Sequence, residues 1–369
     1  MKIDVITLHA VKNYGSVLQA FATKKLFESY GHDVHIINYV KEESKDENLM
    51  KFWAGNNLIK RIIMYPTIKK WGKVFDTFCR EELCVSGRKF TIDEDFESFP
   101  LNADLYCTGS DQVWNSKWNN GILKPLYLSF VPKDKFKFAF AASFGQDRLS
   151  EGEVLETKKF IDQYNYISVR EDSAKIIIEE QYGISGCVHI VDPTLCVDRF
   201  FWKKYAKPQN KQEDYILIYN LNRSSEFDKY AKKLSKLTGC KLKRLCMRYD
   251  QVLRCGESII IPEIFEFISL IDNAKYVLTD SFHATAFSMN MNTRPICIYP
   301  NEFGGRIESF LKMTESLQCH VQDYSDFDVI YRDVDFDLVN KILEKERIKA
   351  RGYLETVFDD AINKKGLVR

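Results

Sequence analysis

Six histidines occur in the 369-residue chain, and one of them, His283, stands in the run Thr279-Asp280-Ser281-Phe282-His283-Ala284. A strand-like stretch, Tyr276–Thr279, turns there into a helical one, Phe282–Met289. A histidine can deliver a proton near neutral pH, and a helix start presents unsatisfied N–H groups that attract anions. Asp280 and Ser281 would then orient His283 or help to hold an anion. The plainer reading is a capped helix start with an incidental histidine.

Five other runs have the same character, with polar groups at the end of an apolar stretch. Asn13-Tyr14-Gly15-Ser16 opens a helix, and Asn13 and Gly15 are candidates to approach an anion. It is not a GxGxxG dinucleotide fingerprint, and taken alone the plainer reading is an ordinary turn with Ser16 as cap. In Gly109-Ser110-Asp111-Gln112-Val113-Trp114-Asn115, the side chains of Ser110, Asp111, Gln112 and Asn115 suit sugar hydroxyls, and Trp114 offers a stacking face. The alternative there is a cap at Ser110 and a core tryptophan. In Ser168-Val169-Arg170-Glu171-Asp172, the fork of Arg170 suits a carboxylate or phosphate, or a salt bridge to Glu171 or Asp172. Asp192, before Pro193 and Thr194, points out of a broken strand or caps the next segment. Arg306 follows the glycine pair of Asn301–Ile307, a loop able to set it over an anion or a plain surface turn.

The elements that must position these runs alternate. Strand patterns at Lys2–Leu8, Val34–Val40, Asp104–Thr108, Phe136–Ser143, Tyr166–Arg170 and His189–Val191 are interleaved with helical ones at Ser16–Tyr30, Val154–Tyr164 and Ser173–Tyr182. After a polar break at Tyr205–Asp214 the alternation restarts with Tyr215–Leu221. Strand–helix–strand order implies parallel sheets. The expected fold is α/β with two Rossmann-like lobes and an active site in the cleft between them. Residues 1–204 form an N-terminal lobe with a variable, charge-rich insertion at 41–100. Residues 215–334 form a C-terminal lobe, and residues 335–369 a helical tail crossing back to the first.

Composition narrows the function classes. The chain is 45% hydrophobic and 28% charged with net charge +1, which gives no long-range field for nucleic acid. Ten scattered cysteines without a CxxC pair argue against a zinc site and suit a reducing compartment. No signal peptide and no long apolar window is evident, so the expectation is a cytoplasmic protein. Leu58–Val74 mixes cations with Ile, Met, Tyr and Trp and suits peripheral contact with the inner membrane surface, with Pro66 breaking it as one helix.

In the order NYGS, GSDQVWN, SVRED, DPTL, TDSFHA and GGRI, the chain resembles the polysaccharide pyruvyltransferase family. The resemblance runs from about residue 10 to residue 311 and rests most on GSDQVWN and S-x-HA. It implies a GT-B-like fold, phosphoenolpyruvate as co-substrate with no cofactor and no metal, and a lipid-linked or nucleotide-linked saccharide acceptor of capsule, exopolysaccharide or cell-wall synthesis. It also implies His283 as the acid and Arg170, with Arg306, as donor ligands. Asp111 or Asp192 would take the hydroxyl proton. Ser281, Asn13 and Gly15 fall on the donor side; Ser110, Gln112, Trp114 and Asn115 on the acceptor side. Two other readings are a nucleotide-sugar glycosyltransferase of the same architecture and a non-catalytic saccharide-binding module.

Overall fold

The computed structural model describes residues 1–85, 87–207, 213–222, 224–299 and 305–365. Two compact units share the chain. One comprises Met1–Lys45, Thr77–Cys196 and Lys345–Arg369; the other comprises Asp46–Asp76 and Val197–Glu344. The expected linker at Tyr205–Asp214 is not where the units part: the change comes after Cys196, and residues 208–212 lie outside the described residues. Part of the expected insertion, Asp46–Asp76, belongs to the second unit.

The first unit holds a six-stranded parallel sheet. Its strands are β1 (Lys2–Ile6), β2 (Asp33–Ile36), β3 (Leu105–Thr108), β4 (Phe136–Ala142), β5 (Tyr166–Val169) and β6 (Val188–His189). Their spatial order is β2-β1-β3-β4-β5-β6. Parallel strands are covered on both faces and so read as continuous apolar runs. Strand β4, FKFAFAA, is buried at every residue. Its Lys137 is accommodated because Nζ donates to the Val131 carbonyl at 2.8 Å and to Gln163 Oε1 at 2.6 Å. A register shift between Ala139 and Ala142 bends the end of β4. Ala141 sits there at φ +51°. Ser168 braces the irregularity by donating to the Ala139 carbonyl (2.9 Å) and accepting the Ala141 N–H (3.0 Å).

One face of the sheet is covered in part by the helix Tyr14–Glu28 and by the end of the helix Phe336–Lys365. Phe27 and Phe358 meet edge to face at 5.6 Å, and Phe358 also reaches Phe138. The Tyr353 hydroxyl donates to the Ala139 carbonyl (2.8 Å), and Arg347 Nε to the Leu195 carbonyl (3.0 Å).

The second unit holds a five-stranded parallel sheet of β7 (Tyr215–Tyr219), β8 (Lys241–Cys246), β9 (Glu257–Ile260), β10 (Tyr276–Thr279) and β11 (Arg294–Cys297), in the order β11-β10-β7-β8-β9. Strand β7, YILIY, is buried throughout. The helices Ser225–Thr238, Ile264–Asp272 and Phe282–Asn290 alternate with these strands.

Most expected strands end one or more residues earlier than their apolar runs. Pro66 does not break its helix: Leu58–Trp71 is continuous through it. A proline inside a helix strands the carbonyl four residues back. That residue is Ile62, which is 74% exposed, so water can take the bond.

Candidate functional site

In each sheet the chain builds strands to one side of a starting strand and then to the other. The reversal falls between β1 and β3 in the first sheet, and between β7 and β10 in the second. Ligands of open parallel sheets bind beyond the carboxyl ends of strands at such switch points. The polar runs lie at these ends.

In the first unit the segment after β3 is drawn against the segment after β1. Gly109 makes this possible: a Cβ there would meet Thr7 Cβ at 3.1 Å and Val5 Cγ1 at 3.3 Å. The Thr7 hydroxyl donates to the Ser110 carbonyl (2.8 Å) and receives the Gln19 amide (2.9 Å). Ser16 donates to Asp111 Oδ2 at 2.6 Å, and Asp111 holds φ +76°. Its other oxygen, Oδ1, accepts the Gln112 N–H. A left-handed conformation at a non-glycine residue carries strain and marks functional positions often enough to be informative.

The neighbouring strand ends complete a charged cluster around Arg170. Its Nη1 lies 2.6 Å from Asp192 Oδ2, its Nε 3.2 Å from Glu171 Oε1, and its Nη2 3.7 Å from Asp111 Oδ1. Burial by itself would lower the guanidinium pKa; Glu171, Asp192 and Asp111 outweigh that and raise it. Ser143, after β4, donates to Glu171 Oε1 (2.8 Å). Asp192 Oδ1 accepts from the Thr194 backbone (3.0 Å) and hydroxyl (2.7 Å).

This geometry revises several expectations. Arg170 faces three carboxylates, so its fork is turned to the protein's own acids and the surrounding charge disfavours an anionic donor. Asp192 has 0% of its side chain exposed, against 8% for Asp111, so Asp111 is the more accessible carboxylate. Trp114 is 1% exposed; it stacks on Tyr127 at 5.6 Å, and its Nε1–H donates to the Leu126 carbonyl. It is a core residue and offers no face to a sugar. Ser110 and Asn115 are fully buried, the latter bonded to Gln112 and to the Trp118 N–H. Gln112 keeps 8% of its surface. Asn13, not Ser16, caps the first helix, and its Oδ1 occupies the N–H groups of Gly15 (2.8 Å) and Ser16 (3.4 Å) that an anion was expected to take.

The second unit carries a different chemistry. Asp280, at the end of β10, reaches across the switch point to the end of β7. Its Oδ1 accepts the Leu221 N–H (2.7 Å), and its Oδ2 accepts the Asn222 N–H (2.9 Å), the Asn222 amide (3.0 Å) and the Asn220 amide (2.9 Å). Burial raises its pKa, and the bonds from Leu221 and Asn222 pull the other way. Asp280 thus ties two strand ends together. Sequence reasoning missed Asn220 and Asn222; two asparagines just beyond an all-apolar strand were the available signal.

Ser281 caps the helix Phe282–Asn290, and its Oγ takes the Ala284 N–H at 3.4 Å. His283 lies in the first turn, 8% exposed, its ring 5.3 Å from that of Phe282. The guanidinium of Arg306 stands 5.8 Å from the same Phe282 ring. Residues 301–304 lie outside the described residues, and Arg306 itself is helical, second in Gly305–Met313, not part of a loop. His283 and Arg306 thus both stand near the Phe282 ring at the start of this helix; an arginine suits an anion and a histidine can pass a proton.

No curated protein sequence matches. Among solved structures, a Listeria monocytogenes protein assigned as a UDP-N-acetylglucosamine 2-epimerase is similar at TM-score 0.54 and 10% identity, over 97% of each chain. The UDP-GlcNAc 2-epimerase of Methanocaldococcus jannaschii is similar at TM-score 0.48 and 13% identity, over 93% of this chain and 92% of that one. The E. coli heptosyltransferase WaaC is similar at TM-score 0.38 and 11% identity, over 82% and 89%. The likeness concerns the fold alone, that of GT-B glycosyltransferases and epimerases. The family model for polysaccharide pyruvyl transferases matches residues 13–302, from the Asn13 cap through the strand ends that hold Asp111, Arg170, Asp192, Asp280 and His283, and the chain belongs to that family.

Proposed function

We propose that the protein transfers the pyruvyl group of phosphoenolpyruvate to two hydroxyls of a saccharide precursor, forming a ketal. The observation that carries this reading is the placement of His283 in the first turn of a Ser281-capped helix, with Arg306 over the adjoining Phe282. Phosphoenolpyruvate brings a carboxylate and a phosphate; Arg306 and the helix start suit one of them, and His283 suits proton delivery.

The chemistry balances with these groups. His283 gives its proton to the methylene carbon, which becomes a methyl group and leaves C2 oxocarbenium-like. A sugar hydroxyl oxygen bonds to C2, and its proton passes to a base. The C2–O bond to phosphate then breaks, inorganic phosphate departs, and a second hydroxyl closes the ketal ring as its proton is passed on. In the first unit, Ser16 on Oδ2 and the Gln112 N–H on Oδ1 fix the orientation of the Asp111 carboxylate. Arg170 lies beside Asp111 Oδ1 at 3.7 Å and is paired in turn with Asp192.

The test supplies phosphoenolpyruvate with lipid-linked and nucleotide-linked saccharides and follows phosphate release and acceptor mass. Expected is phosphate release with a mass gain matching a pyruvate ketal. Turnover of a nucleotide sugar with release of its nucleotide, and no use of phosphoenolpyruvate, would replace this reading with a glycosyltransferase.

A further inference from the structure

Within the second unit, the helices Asp46–Ala54 and Leu58–Trp71 form an antiparallel-type pair joined by three residues, Gly55–Asn57. The second helix has one face inward. Met64, Thr67, Ile68 and Trp71 are buried at spacing i, i+3, i+4, i+7. Trp71 Nε1–H donates to the Met247 carbonyl (2.8 Å), and Thr67 Oγ1 accepts the Tyr249 N–H (3.1 Å). Those contacts anchor the pair.

Its other face is also apolar, and it is open. Leu58 is 75% exposed, Ile59 70%, Ile62 74%, Ile63 51% and Tyr65 59%, and Phe52 of the first helix is 77% exposed. Seven of the nineteen exposed large apolar side chains among the described residues fall between Phe52 and Tyr65. Single exposed apolar residues are ordinary, but a contiguous patch marks an interaction surface.

Charge indicates what covers it. From Gly55 to Phe75 the chain carries Lys60, Arg61, Lys69, Lys70 and Lys73 and not one acidic residue, in a protein whose net charge is +1. A second copy of the chain fits poorly, because a two-fold contact would set this cationic patch against itself. A surface of lipid headgroups fits both properties. Apolar side chains of a helix lying in the interface enter the acyl boundary, while Lys and Arg meet anionic headgroups. No helix among the described residues is long and apolar enough to cross a membrane, so the contact is one of a helix lying on the surface.

We infer that the outer face of the helix pair 46–71 docks the protein on a bilayer containing anionic lipid, through Phe52, Leu58, Ile59 and Ile62 together with Lys60 and Arg61. This inference does not depend on the pyruvyl-transfer reading, and vesicle binding is measured without turnover.

The experiment is co-sedimentation of the full chain with vesicles of phosphatidylcholine alone and of phosphatidylcholine mixed with phosphatidylglycerol, at low and high salt. Expected is binding to the mixed vesicles that salt weakens. Neutralising one cation near an anionic surface costs about fivefold, so Lys60→Gln with Arg61→Gln should weaken binding by more than about tenfold. Leu58→Ser with Ile62→Ser should abolish it, with circular dichroism unchanged because both side chains are exposed in the folded protein. Light scattering on the same samples covers the rival occupant. A dimer that the Leu58→Ser/Ile62→Ser variant dissociates, without vesicle binding, would overturn the inference, and so would a monomer that leaves mixed vesicles unbound at low salt.

Discussion

Arg170 and Asp192 come from the ends of adjacent strands and meet at 2.6 Å, with 2% and 0% of their side chains exposed. Two further carboxylates, Glu171 and Asp111, face the same guanidinium. A buried ion pair of this kind matters less for its net strength than for the cost of breaking it, since the remaining charge is left without compensation.

Arg170→Met should therefore lower stability by about 3–5 kcal/mol in chemical denaturation. The loss should lessen on acidification, because protonating the carboxylates removes the uncompensated charge. Arg170→Lys should fall between, since lysine keeps the charge but not the fork. A full-stability Arg170→Met protein that had lost only affinity for phosphoenolpyruvate would restore Arg170 as a donor ligand.

Trp114→Ala should act on folding and not on saccharide recognition. The indole is enclosed by Tyr127, Phe144 and Tyr164 at 5.6, 5.1 and 5.8 Å. Truncation of a buried Trp costs about 3–5 kcal/mol. Trp114→Phe should recover part of that, and in both variants the acceptor KM of the folded fraction should stay near its original value.

The contrast between Arg170 and Trp114 indicates what a sequence discloses here. Parallel strands advertise themselves as apolar runs, so the two sheets and the polar strand ends were legible, β4 and β7 most plainly. Which way a polar or aromatic side chain turns at a strand end depends on partners remote in the chain. Asp192 is 22 residues from Arg170, and Tyr164 stands 50 positions beyond Trp114, so nothing local separates a ligand-binding side chain from a packed one. Pro66 fails as a helix breaker for a similar reason: its effect depends on whether the stranded carbonyl meets water. His283 was legible because its run combines a strand end, a cap and a helix start within six residues.

Lys137 gives a pH prediction. Burial in the middle of the first sheet pushes its ammonium down from 10.5 to about 8. The folded state then binds fewer protons than the unfolded state between those values, so stability rises with pH across that window. The shift corresponds to about 3 kcal/mol at most. Lys137→Met removes the titrating group. The stability of the original protein relative to Lys137→Met should therefore increase from pH 8 to pH 10.5, where the ammonium is lost. A difference that stayed flat across this window would show that the ammonium keeps its ordinary affinity for protons.

His283 is the residue on which the proposed chemistry turns. It occupies the first turn of Phe282–Asn290, one residue past the Phe282 ring over which Arg306 stands at 5.8 Å. If it delivers the proton that turns the methylene carbon into a methyl group, its removal should affect the chemical step more than binding. A positioned general acid is worth about 10²–10⁴-fold, so His283→Ala should lower kcat by that order while donor affinity falls less. His283→Gln keeps a hydrogen-bonding group near the same place but has no proton to give at this pH; it should recover donor binding and leave kcat low. Arg306→Ala should show the opposite split, with weakened donor binding and a smaller loss in kcat at saturation. Measuring kcat beside donor affinity in the three variants separates the roles. Near-normal turnover in His283→Gln would reduce His283 to a ligand for the donor's phosphate, and another residue would have to be the acid.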